Sequence, residues 1–548
     1  MITALLPVFL GGLSGCADEL PPPPTVRAPV ALSISPEEAT VLTGPVGGEA
    51  IDFVITATFA DGTEEALDVV EWTLSNSSVG ELDDDGVFRP SYTNGGDTWV
   101  SARLDELEAQ ATVRVIYEDT IQSDSSVDAD AFGEPEGAPL ALDEAWRYPE
   151  DGVNIPRNTP SVAFQWSEVL PEGTPEGWWL RFESDFTDLS VYTSAHSWTA
   201  DEDTWQTIAA TNAGGSVTIT LTALMPDGGV LEVEPLTVQV NRFDARGSIL
   251  YWSTSILGFK EIVYGEEAVD FFTEEDAGGC TGCHTIQGDR LVFTYGGYDG
   301  AMGVLDLETG ELLEAATDDP FLGYFKSFSP DGELLLAVYR GDLLLYDGQT
   351  LEYRWQVPLE PRATQVDWSP DGTRVALVLP RVLSTDMQFS GGTIAVMNHL
   401  GDGQFSEPVI LFGSEPGQNA YYPAWSPDGE WIAFNVSTGD AYDDEDAELM
   451  LIRAEPGAEA IALKKANSKG KLTNSWPRWG PLPDDDIFWL TFASRRAYGE
   501  ITQDEPQIWV AAVDPSRADE GKDPSWPAFW LPSQDTTQNN HLPYWTDR

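Results

Sequence analysis

In the stretch AGGCTGCHTIQGDRLVF, residues 277–293, two thiols and an imidazole stand almost together as Cys280, Cys283 and His284. Only three cysteines occur in 548 residues, so these thiols do not belong to a framework of disulfide staples, which would use more of them and in even number. Thiolate and imidazole are ligands for soft metals, and each alternative use has requirements that can be checked. A zinc site would need further ligands, and no second Cys or His pair is spaced to supply them. A redox dithiol would want a βαβ setting, whereas strand–turn–strand patterns surround this run. An oxidised Cys280–Cys283 bridge stays open for an exported chain.

The run CTGCH also resembles the attachment motif of c-type cytochromes. In that family the two thiols add to the haem vinyl groups and the following histidine takes the proximal face of the iron. The resemblance therefore implies one covalent haem c, with Cys280 and Cys283 as attachment points and His284 as proximal iron ligand. Ordinary cytochromes enclose the group in a small helical domain. Here the neighbouring sequence reads as strands.

Those strands belong to a repeat. SFSPDGELLLAV, DWSPDGTRVALV and AWSPDGEWIAFN each set an aromatic (Phe328, Trp368, Trp425) before SPDG and a strand after it, and RWGPLPDDDIFWLTF is a weaker copy using Trp479. Proline and glycine in PDG suit a tight turn between antiparallel strands. A lone sheet of this kind cannot bury both faces, so several must ring a common axis. Gly288 follows His284 at the spacing with which Gly332 follows Phe328, which puts CTGCH at the start of a blade and His284 in the aromatic slot. Trp545 in NNHLPYWTDR fills the slot again with no room for a blade after it, so closure by strands shared with 247–265 is expected, for six blades. The repeats resemble the six-bladed TolB-like β-propeller family over residues 244–548.

This frame selects candidates for a distal iron ligand from four histidines and six methionines. His541 precedes Trp545 as Cys280 precedes His284, and is the first candidate. Met302, in DGAMGVLD on the CTGCH blade, is the second, and an open iron position is the third possibility. His399, in MNHLGDG, reads as surface.

Before the propeller, residues 30–118 alternate apolar and polar residues in short runs (DFVITATFADGT, TWVSARL, ATVRVIY) and resemble bacterial Ig-like sandwiches. A linker rich in Ser, Asp, Gly and Pro, 119–141, is expected to be flexible. Residues 142–243 open with YPEDGVNIPRNTPSVAFQW, similar to the start of fibronectin type III-like sandwiches, and His196 reads as an ordinary residue there. The fold class is thus all-β: two sandwiches and a propeller. At the front, ITALLPVFLGGL and LSGC, within residues 1–16, resemble a lipoprotein signal and lipobox with Cys16 as the lipidated residue, although no Lys or Arg precedes the apolar run. Residues 17–29 form a proline-stiffened tether, and Ala17 in second place, where that family uses Asp for inner-membrane retention, favours the outer membrane.

With 28 Lys and Arg against 92 Asp and Glu, the net charge of −64 excludes nucleic acid as a partner and electrostatic docking on anionic lipid. The expected membrane contact is the lipid anchor alone, and the expected state is a monomer. The acidic run DAYDDEDAE, 440–448, is a weak candidate for calcium because it lacks the ligand and glycine spacing of a calcium loop. Among functions, electron transfer at the cell envelope with a redox or envelope partner protein is the first expectation. A protein- or glycan-binding TolB-like scaffold, or a haem peroxidase or sensor, are the alternatives. No GxSxG, paired-His metal motif or nucleophile with its base points to a hydrolase.

Overall fold

A computed structural model describes residues 27–548 apart from 136, 297–299, 314–320, 443, 469–471, 482–485 and 502–504. Cys16 and the whole lipobox lie outside the described residues. The chain divides into two compact units, the first made of 27–41, 48–91 and 97–114 and the second made essentially of the rest.

The first unit is a small antiparallel β-structure. Strand Val54–Phe59 alternates exposed and buried positions, as a strand with one wetted face should, and pairs with Pro29–Ser35 and Glu64–Leu67. Ile55, Phe88, Val100 and Val113 are among its buried residues.

In the second unit a sandwich precedes the propeller. Its larger sheet runs Val153–Ile155, Val230–Val240, Ser216–Leu224, Gly177–Glu183, Thr187–Thr193, then residues 117–122. Two corrections follow. The expected flexible linker does not begin at 119, because Tyr117–Gln122 pairs with Thr187–Tyr192, and Phe132 packs on Trp179 and Tyr192. No Gly or Pro interrupts that stretch, so the strand simply continues. The fibronectin-like reading of 142–243 also lacks support in the pairing, since Val153–Ile155 pairs in parallel with Val238–Val240 and an α-helix, Glu202–Thr211, packs into the core. Asp201 caps it by accepting the Thr204 N–H at 2.8 Å, and Trp205, Ile208 and Ala209 form the buried stripe.

The propeller has six blades among the described residues, five of four strands and one, beginning at Thr364–Trp368, of five. Five are continuous, with inner strands Thr281–Gln287, Phe325–Phe328, Thr364–Trp368, Asn419–Trp425 and Ser475–Trp479. The sixth joins the chain's last strand, Asn540–Thr546, to Ser248–Ser253, Gly258–Val263 and Val269–Phe272, and so closes the ring. At the SPDG turns Gly332, Gly372 and Gly429 have φ near 70°. The serine hydroxyl there is doubly used: Ser329 Oγ donates to Asp331 at 2.5 Å and accepts the Leu334 N–H at 2.9 Å. The slot tryptophans stitch blades together. Trp425 Nε1 donates to the Asp367 carbonyl at 3.2 Å and Trp479 Nε1 to the Ala424 carbonyl at 3.1 Å. Sandwich and propeller share a core, with Tyr148 packed on Tyr498 and Trp526 Nε1 bonded to Gln239 at 3.0 Å.

Candidate functional site

Successive side chains of a regular strand point to opposite faces, so Cys283 and His284 should not both face the propeller axis. A bulge makes them do so. Pairing between the first two strands of the CTGCH blade shifts register between Gly282 and Thr285, and Cys283 adopts φ 30°. The same device recurs at Gln365 (49°), Tyr422 (51°), Trp476 (58°) and Leu542 (47°). These residues, with Cys283 and Phe325, form one ring of six around the axis. The next ring is His284, Lys326, Val366, Pro423, Pro477 and Pro543.

This register corrects the placing of His284. Ile286 pairs with Leu291 as Phe328 pairs with Leu335 and Trp368 with Val375, so Ile286 occupies the aromatic slot and His284 faces the channel. The cause is the turn at Gly288, which is tighter than SPDG and moves the glycine toward the slot.

His284 is 8% exposed, with Phe259 at 4.8 Å and Tyr544 at 6.0 Å between ring centroids. Neither ring nitrogen makes a hydrogen bond of ordinary geometry, although the Leu250 backbone lies close enough to favour the protonated ring slightly. Burial, with the positive charges of Lys326 and Arg478 beyond it, pushes the imidazole down to about 3, so it is neutral at physiological pH. Cys280 and Cys283 are both free thiols, each raised by burial. The alternative of a Cys280–Cys283 bridge is therefore not realised here.

Beside His284, the Lys326 ammonium is buried, bonded to the Cys283 carbonyl and to Thr294 Oγ1 at 2.7 Å. Burial lowers it to about 7 from 10.5. Because the folded value lies below the unfolded one, stability from this group is complete only above about 10.5 and is lost as pH falls toward about 7. In protein made without haem, urea midpoints should therefore rise from pH 7 to pH 9 with a slope approaching ~1.4 kcal/mol per pH unit. Lys326→Met should remove that component, and equal slopes in the two proteins would contradict the assignment.

The channel at these rings holds about 40 Å³, room for a few waters. Below, Arg478 crosses to Asp367 at 3.1 Å and plugs it, separating it from a cavity of about 200 Å³ on the SPDG side. Tyr324 also lines a separate cavity of about 680 Å³, with Arg340, Arg362, Asp386, Met387 and Tyr442 among others, which none of Cys280, Cys283 and His284 lines. The residue types suit a covalently attached haem chemically: two thiols outside any disulfide, and a neutral imidazole.

The distal candidates fare differently. His541, 6% exposed, lies between Trp252 at 5.8 Å and Trp476 at 4.8 Å and lines neither cavity. Trp252 also packs against Gly282, so its indole stands between His541 and the CTGCH strand. Met302 is a core residue, its sulfur against Gly323, in a cluster with Phe321 and Tyr346. His399 sits on a hairpin against Trp368, and His196 is exposed on the sandwich. In the acidic run, Asp444 accepts backbone N–H groups of Asp440 at 2.6 Å and Asp446 at 3.1 Å. Among the described residues no group of three His, Cys, Asp or Glu side chains is arranged to hold a metal ion.

The sequence matches no family model and no curated protein. Solved structures similar to it include TolB from Acinetobacter baumannii (15% identity, TM-score 0.39, covering 60% of this chain and 79% of that one). Others are a putative TolB from Agrobacterium tumefaciens (17%, 0.34, 54% and 98%) and the Kuenenia stuttgartiensis hydrazine synthase (14%, 0.33, 51% and 74%). The TolB neighbours are propellers like this chain. The likeness is remote, and nothing about chemistry rests on it.

Proposed function

We propose that the propeller carries one covalent haem c at its mouth and serves single-electron transfer at the cell envelope. The observation that carries this reading is the run itself: Cys283 and a buried, neutral His284 both line the channel, brought there by the bulge at Cys283. Cys280 and Cys283 would hold the haem through thioether links and His284 would bind the iron; the group supplies a one-electron couple when bound. The chain's own work is to hold these side chains on a closed ring, keep His284 unprotonated, and exclude bulk water from the proximal side through the Arg478–Asp367 plug. The lipobox resemblance supports export and anchoring through Cys16, with a protein partner docking at the mouth.

The test is a reduced-pyridine spectrum and haem staining of a denaturing gel, on protein made in a host that matures cytochromes c. One covalent haem per chain is expected, lost in Cys280→Ser/Cys283→Ser. A stain-negative wild-type chain would overturn the reading and leave the propeller as a binding scaffold.

A further inference from the structure

Between the second and third strands of the third blade the chain inserts a hairpin, Val382–Leu383 paired with Phe389–Ser390, whose tip walls the cavity of about 680 Å³. Asp386 fastens that tip to the preceding blade. Its carboxylate accepts the backbone N–H groups of Arg340 at 2.6 Å and Gly341 at 2.7 Å, and its carbonyl accepts the Thr364 hydroxyl at 2.7 Å. Hairpin and arginine-bearing turn are thus held as one wall, with Asp386 only 3% exposed within it.

Arg340 and Arg362, both exposed, line this cavity. Arg340 lies over the Tyr339 ring at 5.0 Å, and that ring stacks at 6.1 Å on Tyr324, another lining residue. Arg362 donates through Nη1 to the Arg340 carbonyl at 3.1 Å, which leaves most of its fork for a ligand. Gly341, at φ 80°, lies between them: a Cβ there would collide with Leu383 and with the Arg362 stem, so glycine is what lets both close on the turn.

Neither arginine forms an ion pair with a carboxylate among the described residues, and the one carboxylate lining the cavity, Asp386, has both oxygens engaged by backbone. In a chain with 92 acidic against 28 basic residues most of the surface repels anions, so two uncommitted guanidiniums at one cavity single it out as a place that attracts them. Their planar forks match carboxylates. A cavity of about 680 Å³ has the size that encloses a small organic molecule, and Leu383, Met387 and Tyr442 give a carbon skeleton an apolar wall that an inorganic anion would leave unused.

We propose that this cavity binds a small organic dicarboxylate, with one carboxylate at each of Arg340 and Arg362 and the carbon skeleton against Leu383, Met387 and the tyrosines. None of Cys280, Cys283 and His284 lines it, so the site stands apart from the haem reading.

The test is calorimetric titration of the full chain at low salt, with saturation-transfer NMR alongside. Isophthalate and glutarate serve as rigid and flexible dicarboxylates, and benzoate, uncharged isophthalamide and inorganic phosphate serve as comparisons. One dicarboxylate per chain is expected, weakening as salt rises, with benzoate and phosphate about tenfold weaker or more and isophthalamide not binding. Arg340→Gln/Arg362→Gln should lower dicarboxylate affinity about tenfold or more while melting as wild type, because both side chains are exposed. Arg340→Lys/Arg362→Lys keeps the charge and loses the fork, so its affinity should fall between the two. Arg453→Gln, outside the cavity, should bind as wild type. Failure of both dicarboxylates to bind, phosphate binding tighter than either, an unchanged affinity in the double glutamine variant, or an equal loss in Arg453→Gln would each overturn the proposal.

Discussion

Replacing Arg478 by alanine is expected to lower stability by ~3 kcal/mol, because it leaves Asp367 buried without its counter-charge. Asp367 is 9% exposed, bonded to Arg478 at 3.1 Å and to the Trp425 N–H at 2.8 Å. Its carboxyl already lies above the usual range through burial, despite the pull of Arg478. Without the guanidinium it should rise further. A carboxyl whose folded value exceeds its unfolded one contributes stability below the unfolded value and loses it as pH rises through the folded value. The deficit of Arg478→Ala should therefore be larger at pH 8 than at pH 5. In Arg478→Met/Asp367→Asn the amide still accepts from Trp425 and the thioether fills the space, so most of the loss should be recovered. Denaturant titrations of wild type, Arg478→Met, Asp367→Asn and the double variant at both pH values give the coupling directly, and an Arg478→Met protein as stable as the double one would refute the plug.

Removing residues 540–548 should have a still larger effect, abolishing the cooperative unfolding of the propeller. The last strand supplies the inner edge of the sixth blade along Ser248–Ser253, and Trp545 stacks on Tyr264 at 5.8 Å while its Nε1 donates to the Arg246 carbonyl at 2.7 Å. Without it the ring is an open arc with exposed strand edges at both ends, prone to association. The milder Trp545→Ala should cost about 3–5 kcal/mol by loss of a buried aromatic. Near-ultraviolet circular dichroism with thermal melts separates these cases. A truncated chain that melts like the full one would show that closure does not hold the ring.

The propeller was legible because its turn is a local chemical signal: SPDG fixes a serine, an aspartate and a left-handed glycine at each repeat. The sharing of strands by the sixth blade was legible too, since Trp545 repeats the aromatic slot and residues 247–265 read as strands ahead of the CTGCH blade. The exact seat of His284 was not. Gly288 was taken as the fixed point of the comparison, whereas the pairing Ile286↔Leu291 shows that the turn itself had shortened. Nor do bulges at Cys283 or Tyr422 announce themselves, because left-handed backbone at a cysteine or tyrosine has no side-chain signature. The hairpin Val382–Leu383/Phe389–Ser390 escaped notice because it interrupts the repeat, although VALVL and TIAVM stand unusually far apart. The helix at 202–211 carried a readable cap in Asp201 and an apolar stripe through Trp205 and Ile208, which the surrounding strand pattern overshadowed.

His284 rests against Phe259 and Tyr544, and Tyr544 belongs to the strand that arrives last. The niche thus has no complete wall until nearly the whole chain has been made and delivered. Until then Cys280, Cys283 and His284 lie beside an incomplete neighbouring blade. Docking of the final strand shuts that interval, so assembly order in this ring also sets a deadline for chemistry at its mouth.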